Sequence, residues 1–221
     1  MPFVKIWSGD HSVKKTACVG TLLEVLVQAK EKGVCDSTQA KAIFDEKVSA
    51  YAPPLVQYLE SVPKKDIMYV LMIMQEETKK GNTNAVKEAV LPLLCAHFKE
   101  DESHLFQVFE EGTSITERLP ELPYTPTIVA IGSIFRKECF VACEQQILFT
   151  EAVEFSEATC LLLLSYYIFN LAYADPVTTT LEFLQREMFN INPPRGSKIT
   201  KGRKSRTVVD NRIMKLVQQL R

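Results

Sequence analysis

An α+β fold, predominantly helical, is what the sequence predicts, and three observations carry that prediction. Short apolar runs suited to strands stand at the start of the chain and between residues 127 and 149. Apolar residues recur at helical spacing through most of 36–111 and 151–189. Prolines, glycines and capping residues punctuate those stretches at lengths that suit separate helices. The composition agrees with a folded chain. A hydrophobic fraction of 46% with 24% charged residues excludes a disordered polyelectrolyte, and eight glycines without a triplet repeat exclude collagen.

Residues Phe3–Trp7 alternate, with Val4 and Ile6 on one face. Residues 8–12 have turn chemistry, and 13–19 return as a second strand, which gives an N-terminal β-hairpin. Thr21 and Glu24 fit a capping box for a helix that runs to about Lys32, where Gly33 suits its stop. A hairpin followed by a helix resembles the way ubiquitin-like folds begin.

Central helices follow. Asp36 or Ser37 caps one that bears Ala40, Ile43, Phe44 and Val48. Pro53 and Pro54 are expected to end it and to open a short helix over 55–61, closed by Pro63. Residues 66–80 form the next, with Ile67, Val70, Leu71 and Met74 inward and Gly81-Asn82 as the stop. Met68, Tyr69, Met72 and Met74 read as core, with an adaptable groove as the other reading. Asn84 caps a helix over 85–98, which Pro92 should kink at a cost of about 3 kcal/mol. Residues 103–111 read as a short helix carrying Leu105, Phe106 and Phe109.

Pro120, Pro123 and Pro126 mark 112–126 as a connector and candidate boundary. Residues 127–132 then read as a buried strand, and 138–149 as an alternating run with Phe140, Ala142, Ile147 and Phe149 partly buried. Together they predict a small sheet around 127–149, packed by C-terminal helices. The stretch 151–173 is nearly all-round apolar in its second half, which places it in the core. Asp175-Pro176 starts a further helix that ends near Phe189-Asn190. The segments suggested are 1–84 (hairpin plus helices), 85–194 (an α+β core) and 195–221 (a basic tail with a short terminal helix).

Charge is distributed unevenly. Residues 195–221 hold nine basic side chains and one acid, a net +8, so the overall −1 leaves −9 on residues 1–194. Arg195, Lys198, Lys201, Arg203, Lys204 and Arg206 form the densest part. Such a run can be a nuclear-import signal, a phosphate contact or a solvated linker. It holds no aromatic residue, so binding of DNA or RNA there would rest on backbone phosphates without sequence readout. Ile213, Leu216, Val217 and Leu220 lie on one side of a short helix beyond it. They either pack on the core or form a partner-binding stripe.

No catalytic, cofactor-binding or metal-ligating residue is predicted. Cys139 and Cys143 fall on one strand about 13 Å apart, at about 3.3 Å per residue, too far to share a zinc ion. His97, Asp101 and His104 form a loose group without a ligand spacing, and read as a solvated corner. No glycine-rich phosphate loop and no nucleophile–histidine arrangement occur. Residues 1–9 contain no continuous apolar region, and the longest apolar stretch, 160–174, is shorter than the roughly 20 residues a bilayer needs. The six cysteines are therefore expected as reduced, mostly buried thiols in the cytoplasm or nucleus, with no membrane partner.

Several segments carry a family resemblance. They are Ala89 to Leu94, Lys99 to Phe106, Thr125 to Gly132, Leu161 to Tyr167, Thr180 to Gln185 and Phe189 to Pro193. Together they resemble the C-terminal region of the fish group labelled sterile-alpha-motif-domain-containing-protein-3-like, over about residues 85–220. The resemblance implies a shared fold unit in an animal, intracellular setting, with a basic segment after the Asn-Pro step. It implies no catalytic residue, and no sterile alpha motif is evident in this chain.

The functional expectation is a non-enzymatic intracellular interaction protein. Its acidic helical body would bind a protein partner, and its basic tail would add electrostatic affinity or nuclear targeting. The alternative is a nucleic-acid-associated protein that uses the tail for sequence-independent phosphate contacts.

Overall fold

The computed structural model describes residues 3–7, 14–18, 37–149, 151–192 and 209–221, those before residue 41 by their backbone. The helix predicted from Thr21, with its capping box, lies outside the described residues. So do Arg195, Lys198, Lys201, Arg203, Lys204 and Arg206. The fold is α+β, with a small four-stranded mixed sheet. In chain order the elements are β1 (Phe3–Trp7), β2 (Lys14–Cys18), α1 (Ser37–Glu60), α2 (Lys65–Lys79), α3 (Ala85–Glu88) and α4 (Val90–Phe98). There follow β3 (Phe106–Phe109), α5 (Ile115–Arg118), β4 (Thr127–Ile131), β5 (Cys139–Cys143), β6 (Gln146–Ile147), α6 (Phe155–Ile168), α7 (Thr178–Phe183) and α8 (Asn211–Gln219).

The chain divides into two compact units. Unit 1 comprises residues 1–42 and 103–174, and unit 2 comprises 43–102 and 175–221, so α1 begins in the first and continues in the second. These boundaries differ from the steps at 84/85 and 194/195 suggested by the sequence. Within each unit, helices and strands far apart in the chain complete one core, which local composition does not reveal.

In unit 1, β1 and β2 pair antiparallel, with Phe3 opposite Cys18 and Trp7 opposite Lys14. The larger sheet has the order β3-β4-β5-β6. Residues 106–109, expected as part of a helix, instead form β3, parallel to β4 with Phe106 opposite Ile128. The sequence Phe-Gln-Val-Phe suits a pleated surface, and its partner supplies the ladder that a four-residue strand lacks alone. A parallel pair needs a crossover of a dozen or more residues. The proline-rich stretch 112–126 is that crossover, and it stays within unit 1.

The crossover also covers one sheet face. Leu122, with Ile115 and Leu119, packs on Val129, Ile131 and Ala142. Helix α6 packs on β4 and β5, and its Phe155 meets the ring of Phe106 at 5.3 Å. Every residue of β4 is buried, as expected for a strand covered on both faces. Of the C-terminal helices, α6 belongs to the same unit as this sheet, whereas α7 and α8 belong to unit 2. Glu144 and Gln145 both have positive φ, 50° and 60°, the pair of left-handed residues that closes a tight hairpin between β5 and β6. Buried hydroxyls in α6 bond back along the helix: Thr159 donates to the Phe155 carbonyl and Ser165 to that of Leu161.

Unit 2 is helical. Pro53 and Pro54 lie inside α1 and do not end it. Phe44, Val48, Ala52, Leu55 and Leu59 form one buried stripe through the prolines. Burying each large side chain is worth about 1.5–3 kcal/mol, enough together to outweigh about 3 kcal/mol per internal proline. The carbonyls that lose their donors belong to Ser49 and Ala50, both exposed. Helix α2 ends at Gly81, whose φ of +96° closes the turn. The predicted 85–98 helix is broken at Ala89, three residues before Pro92. Helix α2 packs on α3 and α4, α4 on α7, and α7 on α8.

Candidate functional site

The groups with chemistry to offer are concentrated in unit 2. Residues 67–74, Ile-Met-Tyr-Val-Leu-Met-Ile-Met, are eight consecutive apolar side chains in α2. Such a run wraps around the whole helix, yet only one side meets the core: Ile67, Leu71 and Met74 are buried. Met68, Tyr69 and Met72 are 50%, 61% and 51% exposed, so of the four residues read as core only Met74 is core. Tyr69 and Val70 continue into a depression of about 460 Å³ against Cys95, Ala96 and Lys99 of the α4 end. Glu102 on its rim has a carboxyl raised above the ordinary value, by burial first and then by the charges of Asp101 and Asp66.

A second concavity, about 320 Å³, lies where the end of α4 meets α8. His97 stands in its wall, with the Tyr58 ring at 5.9 Å and the Phe98 ring at 5.2 Å. The Lys64 ammonium lies 3.4 Å from the His97 carbonyl. Burial, and then the charges of Lys64 and Arg212, lower the His97 imidazole from 6.5 to about 4, so it is neutral at pH 7. Its Nδ1 is buried and has no hydrogen-bond partner among the described residues.

Arg212 holds α8 in place. It donates to the Phe98 carbonyl at 3.1 Å, to both Asp210 oxygens at 3.1 and 3.3 Å, and to the Thr179 hydroxyl. Asp210 in turn caps α8 by accepting from the Arg212 amide at 2.9 Å. Glu100 accepts from the Thr179 and Thr180 amides, each at 2.8 Å, and so caps α7 from a distant part of the chain. Ile213, Leu216 and Val217 are buried and Leu220 is half-buried. The stripe proposed for a partner is thus turned into unit 2, because α8 supplies part of that unit's core.

His97 and Asp101 belong to unit 2 and His104 to unit 1. Among the described residues no group of three or more His, Cys, Asp or Glu is arranged to hold a metal ion. Cys95, Cys139, Cys143 and Cys160 are buried and lie outside any disulfide among the described residues. Burial pushes the Cys95 thiol well up, and burial with the Glu144 charge pushes Cys143 up to about 12. Both stay protonated at neutral pH and make poor nucleophiles. Among the described residues, no helix is long and apolar enough to cross a membrane.

Sequence spacing missed the imidazole concavity, because its walls come from residues 58, 64, 97, 98, 212 and 215. The exposed side of α2 did leave a signal: an unbroken apolar run longer than one buried face needs. No family model, curated protein or solved structure matches the chain.

Proposed function

We propose that this chain is a non-enzymatic protein-interaction module of the cytoplasm or nucleus, and that the outer side of α2 is its contact surface for an apolar helix face on a partner protein. The observation that carries this reading is the exposure of Met68, Tyr69 and Met72 on a helix whose opposite side is fixed in the core. Contiguous apolar exposure on a polar surface marks interaction sites. Methionine adapts its shape to a partner, and tyrosine contributes area at little entropic cost. Residues 68 and 72 are one helical turn apart, the spacing of ridge residues in helix-on-helix contacts. The resemblance of residues 85–220 to the fish group adds an expectation of a shared fold unit and no activity.

The test is in-cell photo-crosslinking from α2, comparing the wild type with a Met68→Ser, Tyr69→Ser, Met72→Ser variant of unchanged helical circular dichroism. Adducts lost in the variant support the reading. The same adducts in both proteins overturn it.

A second reading rests on the nine basic residues against one acid in 195–221. Here Arg195, Lys198, Lys201, Arg203, Lys204 and Arg206 contact nucleic-acid phosphates. Fluorescence anisotropy with labelled DNA and RNA across a salt series separates it from the first. Salt-steep binding that disappears when Lys201, Arg203, Lys204 and Arg206 are changed to glutamine supports it. Absence of binding at modest salt removes it. Substitution is preferable to deleting the tail, since Ile213, Leu216 and Val217 belong to the core of unit 2.

A further inference from the structure

We propose that the concavity walled by His97, Lys64 and Lys215 is a binding site for a small phosphate monoester carrying an aromatic group. The site lies wholly in unit 2, and the inference is independent of the α2 contact surface.

The charge of the walls selects the ligand's sign. Lys64, Arg212 and Lys215 line the concavity and, among the described residues, no carboxylate does, in a chain whose first 194 residues carry −9. A cationic recess on an acidic body attracts anions to that place rather than to the surface at large. Arg212 is already committed to Asp210, Thr179 and the Phe98 carbonyl, so it positions the wall and offers the ligand little. Two cations remain for the ligand. Lys215 makes no hydrogen bond or ion pair among the described residues, and Lys64 has one long contact, at 3.4 Å, to the His97 carbonyl.

The third polar group is the imidazole. His97 lines the recess and is neutral at pH 7, so it brings one N–H donor without adding a third full charge. Two ammonium groups and one neutral donor match a phosphate dianion, which offers three acceptor oxygens and about two negative charges. The cost of holding Lys64 and Arg212 near a half-buried ring is relieved when such a dianion enters.

The remaining walls set the rest of the ligand. Tyr58 and Phe98 bring aromatic surface to the recess, and Gln218 and Gln219 bring amides at its edge. A volume of about 320 Å³ falls at the lower end of the roughly 300–1,000 Å³ usual for small-molecule sites. It suits one ring and one phosphate. Inorganic phosphate should therefore bind the same cations more weakly, because it leaves the aromatic walls uncovered.

The experiment titrates the full chain with phenyl phosphate and, separately, with inorganic phosphate, observed by the ring nuclei of His97 in nuclear magnetic resonance. The expected result is a saturable shift of the His97 signals, tighter for phenyl phosphate. The combined Lys64→Gln and Lys215→Gln variant should weaken binding at least tenfold, while Lys215→Arg retains it. Unchanged far-ultraviolet circular dichroism and an unchanged thermal midpoint of the free variant establish that its fold is intact. No saturable shift with phenyl phosphate, or equal affinity in the glutamine variant, overturns the proposal. Binding that is equal for the two anions overturns the aromatic part of it.

Discussion

Unit 1 and unit 2 bury similar kinds of apolar side chain but treat charge in opposite ways. In unit 1 the buried polar groups are hydroxyls, Thr127, Thr159 and Ser165, the latter two bonded within their own helix. Two of its ion pairs, Arg118 with Glu121 and Arg136 with Glu111, are exposed, and a third, Lys41 with Glu157, is half-buried. In unit 2, by contrast, Glu88 and Glu182 are buried, Glu100 caps α7, and Arg212 joins α8 to three other groups. Burying ionised groups carries a desolvation penalty and leaves the structure dependent on each partner. Unit 1 is thus held by area and unit 2 by area plus specified polar contacts. The exposed apolar helix side and the cationic recess both lie in the second.

The sharpest way to break this comparison is at the Glu182–Arg186 pair, one helical turn apart at 2.9 Å. Glu182 is 2% exposed. Arg186→Ala removes its partner and should destabilise the protein by about 3–5 kcal/mol. Changing both residues together, Glu182→Leu with Arg186→Met, should recover most of that loss, because no charge is left unpaired. Chemical denaturation of the two variants measures this. A loss below 1 kcal/mol in Arg186→Ala would mean that water reaches Glu182, and the contrast between the units would fail. The matching test in unit 1 is Leu162→Ala in α6, fully buried. It should cost about 3 kcal/mol through transfer and cavity terms, with no compensating double variant of the ionic kind.

Acid should separate the units next. His97 lies at about 4 in the folded protein against 6.5 ordinarily, with Lys64 and Arg212 as the charges acting on it. Between those values the unfolded chain takes up a proton that the folded chain refuses. The stabilising contribution is therefore present above pH 6.5 and is lost as pH falls toward 4. Each full pH unit between the two values is worth about 1.4 kcal/mol. Solvent at this half-buried ring reduces the total to about 1–2 kcal/mol. Urea unfolding at pH 7.5 and 4.5 should show that much more acid loss in the wild type than in His97→Phe. Equal losses would place the imidazole in water.

These contrasts explain what the sequence could and could not convey. Signals confined to a few neighbouring residues were legible: the stop at Gly81 and the buried strand at 127–131. Signals that need a distant partner were not. Residues 105, 106 and 109 fit a helical face as well as a strand, and only the pairing of Phe106 with Ile128 decides between them. The prolines of α1 are tolerated because Leu55 and Leu59 find a core beyond them, which the dipeptide does not disclose. The imidazole recess had no local spacing to betray it. The apolar stretch at 67–74 was legible as helix but not as a surface, because a run that is apolar on every side does not say which side is covered.

That last ambiguity gives the smallest expected effect. Met68→Ser with Met72→Ser should change stability by less than about 0.5 kcal/mol per site, as for surface positions elsewhere, since both are half exposed. Their neighbour Leu71, buried on the same helix, should cost about 2–5 kcal/mol when changed to alanine. The polar pair also lowers helix propensity slightly, so circular dichroism must accompany the denaturation curve. If the methionine variant instead lost as much as Leu71→Ala, the outer side of α2 would be covered in solution. The proposed contact surface on α2 would then not be open to a partner. A near-silent effect on stability, together with lost crosslinks, would place the role of Met68 and Met72 in binding and leave folding to the side of α2 that Leu71 occupies.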